Sequence, residues 1–555
     1  MDISASRHFS KIARDYITAF DRSPVKQFFP IPPNDRGTAF KDLLEKRAAR
    51  AASAEEKTKR QALVDELRKQ HSNAGTLTQK VEANLKSLSD EKCCAVVTGQ
   101  QVGILGGPLY TIYKALHTVV LAHQLQSLYS EYHFVPFFWQ ETEDHDFDET
   151  SGMNIVTSNF ELRNVRYKPV EDISRRQIGG LVLEKEAIEQ VFSEIESFIP
   201  KTDFTGDILA LYKNAYQEGF TFAEAQAQLL GELLSPEGLL ILNPNTPELK
   251  KQATHLFKKE IETAPYLSDS IQTLSQELEK AGYHAQLDPQ GMNLFIAEDG
   301  KRYKLSKIGD GFSYNSKALS TKEIHTILSE HPERCSMNVV MRPLVQDTIL
   351  PTVAYVAGPG ETAYFAQLQP AYDWAGIAMP QIVSRISITF IEDRFEKLLD
   401  KYQIPASDFL EDANSIVRKV LSTEQEKILT DSFSDAGQQL DLALESLRYA
   451  VSATDATLDP ALTAMKGKIL STLKDFEGKS LSAERKKQSG TKQQFEKAFN
   501  VLLPEGKLQE RELSLLYFLN KYGLDFWTKL KQTLLRRSLP LNEHHILKVS
   551  ELLTP

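Results

Sequence analysis

Residues 143–149, Glu143-Asp144-His145-Asp146-Phe147-Asp148-Glu149, set five carboxylates around one histidine, directly after the apolar run Phe134-Val135-Pro136-Phe137-Phe138-Trp139. Like charges this close repel, and burying one of them unpaired is costly. The cluster therefore calls for a cation: a Lys or Arg, a metal, or a substrate amine. A bare acidic run is ordinarily a solvated loop, but an apolar run of this kind reads as a buried strand, so its end reads as a site. His145 and Asp146 are adjacent and no second histidine stands at ligand spacing, which argues against a dedicated zinc site or structural metal. Magnesium held by a carboxylate and nucleotide phosphates stays open.

Two glycine turns complete the candidate chemistry. The run Thr98-Gly99-Gln100-Gln101-Val102-Gly103-Ile104-Leu105-Gly106-Gly107-Pro108 lies between a predicted strand and a helix striped by Leu109, Ile112, Leu116 and Val119. Such glycines let backbone N–H groups approach an anion at a helix N-terminus. The run is neither a Walker A loop nor a GxGxxG fingerprint, and tight turns without a ligand read equally well. A second turn, Ala357-Gly358-Pro359-Gly360-Glu361, follows another predicted strand and leads into an expected helix over 362–368. Arg342 and Arg385 flank it and could grip phosphate or carboxylate bidentately, or pair with the acidic cluster. Lys304-Leu305-Ser306-Lys307 invites comparison with the lysine loop of class I synthetases. It follows Asp299-Gly300, a hairpin-turn signal, and so reads as an exposed hairpin strand.

The elements that must position these residues are short apolar runs, several followed by helical periodicity, which predicts an α/β fold with a parallel sheet. Candidate strands are 95–98, 133–139, 239–242 and 352–356. If they run parallel, both glycine turns and the acidic cluster meet at one sheet edge, where doubly wound folds bind ligands. Residues 1–80 read as an N-terminal helical region packing on the core, with a proline-rich turn at 29–33 and a very polar, solvated helix through Lys57, Arg60 and Lys69. The core spans 81–385, with β-rich insertions near 151–190 and 270–335. Over 386–505 the pattern becomes long amphipathic helices. Ile391, Phe395, Leu398 and Tyr402, then Leu440, Leu444, Leu447 and Val451, then Leu458, Leu462, Met465 and Ile469 step by three and four around Asp459-Pro460. That seam predicts an antiparallel coiled-coil hairpin that buries its stripe against a partner or in a bundle of its own. Helices over 506–555 return to the core.

With 555 residues the chain is long enough for more than one core. A net charge of −10 argues against nucleic-acid binding by broad phosphate neutralisation. The N-terminal residues carry no signal-peptide pattern, and no run approaches a membrane span, which predicts a cytoplasmic protein with no membrane partner. Three cysteines without CxxC spacing predict reduced thiols.

In family order, Thr98-Gly99-Gln100-Gln101, Gly107–Ala115, the heptad 143–149, Arg342-Pro343-Leu344, Gly358-Pro359-Gly360-Glu361 and Leu508-Gln509-Glu510-Arg511 resemble the bacillithiol biosynthesis cysteine-adding (cysteine ligase) family over about residues 90–525. The resemblance implies a Rossmann-like core related to class I synthetases and nucleotidyltransferases, with a long coiled coil mediating a homodimer. It implies a reaction too: joining cysteine to glucosaminyl malate in the last step of the pathway. Asn243-Pro244-Asn245 departs from the pattern, since relatives tend to carry an acid there.

Set against that reaction, amide formation needs an activated carboxyl group, most simply through ATP, and an unprotonated amine. Asp144 or Asp146 would bind the glucosamine ammonium, and His145, with an ordinary pKa of about 6.5, would accept its proton. Thr98, Gly99, Gln100, Gln101, Gly106, Gly107, Gly358 and Gly360 would hold ATP or ADP, with Gln509 and Arg511 near a second nucleotide site. Glu143, Arg342, Glu361 and Arg385 would bind substrate. Two other readings stand beside this one: a non-catalytic nucleotide-binding scaffold organised by the coiled coil, and an enzyme of the nucleotidyltransferase superfold acting on another amine.

Overall fold

Five parallel strands form the central sheet of the computed structural model, which describes residues 1–421, 424–537 and 539–554. They are β1 (Cys93–Gln101), β2 (His133–Glu141), β3 (Leu240–Leu242), β4 (Thr352–Ala357) and β5 (Gln381–Ser384), in the order β5-β4-β1-β2-β3. Both faces are covered, which is why the strands read as continuous apolar runs rather than alternating ones. Val97, Phe137, Trp139, Leu242 and Tyr355 pack into one core cluster. Their neighbours Val96, Phe134, Val356 and Val383 pack into another on the opposite face.

The chain winds outward from β1 through β2 to β3, then crosses back to place β4 on the other side of β1. The register pairs Gln101 with Glu141 across β1 and β2, and Val97 with Tyr355 across β1 and β4. This reversal opens a crevice beyond the carboxyl ends of β1 and β4, the usual ligand position in a doubly wound, Rossmann-like sheet. Three helices border it: α1 (Leu109–Leu128), α2 (Arg342–Ile349) and α3 (Pro359–Phe365).

The strands match the expected runs and extend them by one to several residues at their ends, except β3, which starts one residue later. The polar N-terminal helix is less solvated than its composition suggests. Arg60, on the helix Ala54–Asn73, is buried and donates to the carbonyls of Leu88, Asp90 and Cys93. Arg47 does the same for Thr352 and Ala378. A guanidinium can satisfy several loop carbonyls at once, so a charged residue here covers the sheet rather than facing water. The first insertion is an antiparallel hairpin, Gly152–Val156 with Leu162–Arg166. In the second, Leu294–Glu298 and Lys301–Lys304 pair through Asp299 and Gly300, both at positive φ (51° and 73°), the geometry a tight hairpin turn requires.

Two compact units divide the chain, residues 1–391 with 507–555, and residues 392–506. In the second, the helices Glu424–Thr454 and Asp459–Leu502 form a long hairpin, with Pro460 in the first turn of the returning helix. Lys466 pairs with Asp441 and Glu445 across it, and Phe433 meets Phe476 edge-on. Ile391 is not part of a helical seam, because it ends the strand Ser387–Ile391, which pairs in parallel with His544–Lys548 in the first unit.

Candidate functional site

A cavity of about 520 Å³ fills the crevice at the β1–β4 reversal, a volume in the range of small-molecule sites. Its floor is the end of β1, Gly99-Gln100-Gln101, and one wall is the turn Gly358-Pro359-Gly360-Glu361. Gly99 is where the sheet leaves no room: a Cβ there would lie 3.1 Å from the Trp139 carbonyl oxygen.

Between floor and wall stands Lys114, from the buried face of α1. Its ammonium donates to the Gly99 carbonyl, to Gln100 Oε1 at 3.2 Å and to Glu361 Oε2 at 2.7 Å. Glu361 also accepts from the Gly358 N–H (2.7 Å) and the Tyr355 hydroxyl (2.7 Å). Burial raises its pKa, but Lys114 and these donors outweigh burial and hold the carboxyl below its ordinary range. Burial likewise pulls Lys114 below the usual lysine value, against the pull of Glu361.

Opposite lies the acidic heptad, which the structure splits. The Glu143 carboxylate is turned into the core, 2.6 Å from the Lys250 ammonium, with neither side chain reaching solvent. Asp144 lines the cavity and accepts from Gln101 Nε2 (2.5 Å) and from its own following amide (2.7 Å). Burial raises its pKa, but the Gln101 and backbone hydrogen bonds and the nearby Arg302 bring it below the ordinary value. Glu149 reaches the cavity rim. His145, 41% exposed, and Asp146, which caps the short helix Phe147–Thr150, do not line it.

Three residues that carry no site signal in the sequence complete the cavity. Glu141, the last residue of β2, lines it with a carboxyl whose Oε2 is buried and has no hydrogen-bond partner among the described residues. Burial raises it, Arg342 and Arg302 lower it, Glu143 and Asp144 raise it again, and the result is a pKa of about 7. Arg302 comes from the second hairpin, stacks 3.9 Å from the Phe295 ring and donates to the Met337 carbonyl, leaving its Nε without a hydrogen-bond partner among the described residues. Tyr364 accepts from Arg342 at 2.6 Å. The hairpin strand that reads as exposed at Lys304 carries Arg302 buried on that same face two residues earlier, where Phe295 and the Met337 carbonyl cover it.

The remaining expected residues fall into two groups. Arg342, Arg385 and Arg511 line the cavity. Arg342 Nε lies 3.8 Å from Glu141 Oε2, and Arg385 is locked to Glu510 at 2.6 Å. Thr98, Gly106, Gly107 and Gln509 do not line it. The Thr98 hydroxyl donates to the Val356 carbonyl. The Gly106 amide donates to the Tyr216 hydroxyl, which itself donates to the Gly103 carbonyl, and the first amide of α1 donates to Leu513. Backbone donors expected to cradle phosphate over 103–109 are thus partly occupied by the protein itself. Gln509 pairs by its amide with both backbone groups of Phe390, imitating a strand. Asn243, at the departure from the family pattern, accepts from Thr142 and does not reach the cavity. The side-chain anion donors that line the cavity include the guanidinium groups of Arg302, Arg342, Arg385 and Arg511, and this set fits a phosphate- or carboxylate-bearing ligand.

Comparison with known proteins agrees with the Rossmann-like fold. Residues 1–386 match the model described as "Bacillithiol biosynthesis BshC, N-terminal Rossmann-like domain", and residues 388–549 match "Bacillithiol biosynthesis BshC, C-terminal coiled-coil domain". The chain belongs to the bacillithiol biosynthesis BshC family. It is similar to the "Putative cysteine ligase BshC" of Salinibacter ruber, 35% identical over 93% of this chain and 92% of that one. The proteins of the same name from Chlorobaculum tepidum (34% identical, covering 84% and 85%) and Bacillus velezensis (30%, covering 84% and 87%) are similar as well. Among the described residues, no helix is long and apolar enough to cross a membrane, and no group of three or more His, Cys, Asp or Glu is arranged to hold a metal ion.

Proposed function

We propose that the crevice cavity is the active site of a ligase that joins the carboxyl group of cysteine to the amine of glucosaminyl malate. The observation that carries this reading is the cavity itself, in which guanidinium groups and a carboxyl of near-neutral pKa face one another at the β1–β4 reversal. The names of the relatives support the same reaction class. Arg342, Arg302 and Arg511 supply donors for malate carboxylates or nucleotide phosphates, and Asp144 supplies a fixed negative charge for the ammonium. ATP, when bound, supplies the activation that turns the cysteine carboxylate into an acyl donor. The chain's own residues bind both partners, hold them in contact and remove a proton from the amine. Pairing of two chains through the helical hairpin is part of this proposal, supported by Leu442, Tyr449 and Phe476, which are 72%, 86% and 61% exposed on it.

The test is incubation of the purified full chain with ATP, cysteine and glucosaminyl malate, read by mass spectrometry. Bacillithiol formed only with all three substrates supports the ligase. Nucleotide binding without turnover supports a scaffold instead, and turnover only with another amine supports a different transferase.

A further inference from the structure

We infer that Glu141, rather than His145 or Asp146, is the general base that takes the proton from the ammonium of the amine substrate. The inference rests on the ligase reading and deepens it. An amine bound at neutral pH arrives largely as the ammonium ion and must lose a proton before its lone pair can attack. The acceptor has to reach the cavity, carry a free lone pair there and be ionised for a useful fraction of the time.

Glu141 meets each condition. It ends β2 directly opposite Gln101, so its side chain enters the crevice from the sheet edge. Its side chain is 21% exposed and lines the cavity, and its Oε2, 3.8 Å from Arg342 Nε, makes no hydrogen bond among the described residues. The charged groups around it are Arg342 from α2, Arg302 from the hairpin, and Glu143 and Asp144 from the segment after β2. Two cations and two anions leave burial to decide, and burial disfavours the charge. Of the other carboxyls, three are committed elsewhere, Glu143 to Lys250, Glu361 to Lys114, and Asp144 to Gln101 and two backbone amides, while Glu149 stands exposed at the rim. Asp144 is also held ionised more firmly than usual, which makes it a better electrostatic anchor than proton acceptor.

The step balances. One proton passes from the ammonium nitrogen to the Glu141 carboxylate, and the freed lone pair attacks the carbonyl carbon of the activated cysteine carboxyl. The new C–N bond forms as the bond from that carbon to its leaving oxygen breaks, and the departing phosphate oxygen takes the bonding pair and the second nitrogen proton. Glu141 returns its proton to water before the next turnover.

The experiment compares wild type, Glu141→Gln, Glu141→Asp and His145→Ala as full-length chains, with kcat and KM for the amine measured from pH 5.5 to 9. Expected is a fall in kcat of about 100-fold or more for Glu141→Gln, with KM for the amine changed by less than about 3-fold and an acid limb near pH 7 in wild type that the variant lacks. Partial recovery in Glu141→Asp is expected, with a displaced limb. ATP turnover driven by cysteine without the amine reports that Glu141→Gln is folded and still activates the carboxyl group. Wild-type activity with Glu141→Gln above a third of it overturns the assignment and leaves the ligase reading standing. So does loss of the acid limb in His145→Ala but not in the Glu141 variants. A wild-type protein that makes no amide overturns the ligase reading first.

Discussion

Lys250 and Glu143 form an ion pair 2.6 Å apart with 0% and 1% of their side chains exposed, and this pair anchors the segment that carries Asp144 into the cavity. The Lys250 ammonium also donates to the Cys335 carbonyl at 2.9 Å, so it ties β2's continuation to a second strand. Removing one member of such a pair leaves an uncompensated buried charge, at a cost of about 3–5 kcal/mol. Lys250→Met is therefore expected to lower the urea midpoint sharply, and the double variant Lys250→Met/Glu143→Leu to recover most of the loss. A single variant as stable as wild type would show that the pair contributes nothing.

How far this site was legible follows from the same residues. The heptad 143–149 announces a need for cations, and Lys250, Arg302 and Arg166 meet part of it. Lys250 lies in Leu249-Lys250-Lys251-Gln252, which reads as a solvated helix turn. Only its position under the sheet makes it a partner, and that is set more than a hundred residues away in sequence. Strands β1, β2 and β4 were readable because continuous apolar runs have one physical meaning in a parallel sheet. Glu141 was not, because a single acid before an acidic cluster carries no periodic signal; its meaning comes from burial beside Arg342. The glycines at 106 and 107 were over-read for the converse reason. Positive φ explains them (83° and 69°), and Tyr216 already occupies the neighbouring backbone.

Gly179 offers a geometric test of the same segment. Its amide donates to the Thr142 carbonyl, Ile178 donates to Asp144, and a Cβ at 179 would sit 2.3 Å from Thr142 Cβ. Gly179→Ala must push the 142–144 segment away, an overpacking cost of about 1–3 kcal/mol. Expected are a lower thermal midpoint and a larger KM for the amine, while cysteine-driven ATP turnover changes little. An unchanged KM would separate Asp144 from amine binding.

Glu361 predicts an acid-side stability loss. Its folded pKa lies below the ordinary 4.5 because Lys114, the Gly358 amide and Tyr355 outweigh burial. A depressed carboxyl contributes stability that is fully present above the unfolded pKa and is lost as pH falls through the folded one. Glu361→Gln should cost about 2 kcal/mol at pH 6. The difference from wild type should shrink as pH falls below 4.5. Denaturant titrations at pH 6, 4.5 and 3.5 check this, and a difference independent of pH would count against it.

Glu141 predicts the opposite sign. Its folded pKa of about 7 lies above the unfolded 4.5, so between these values the folded chain holds the extra proton and stability falls as pH rises. The displacement corresponds to about 3 kcal/mol, with the full penalty present above pH 7. Glutamine mimics the protonated form, so Glu141→Gln should be nearly as stable as wild type near pH 4.5 and more stable by up to that amount at pH 8. Arg342→Met removes the cation nearest Oε2, raises the Glu141 pKa further and moves the window upward. Denaturation at pH 5, 6, 7 and 8 for wild type, Glu141→Gln, Arg342→Met and the double variant reads both shifts. If Glu141→Gln destabilises the chain equally at every pH, the carboxyl is ionised throughout the range and is held as a structural anion, which would leave the amine without this acceptor.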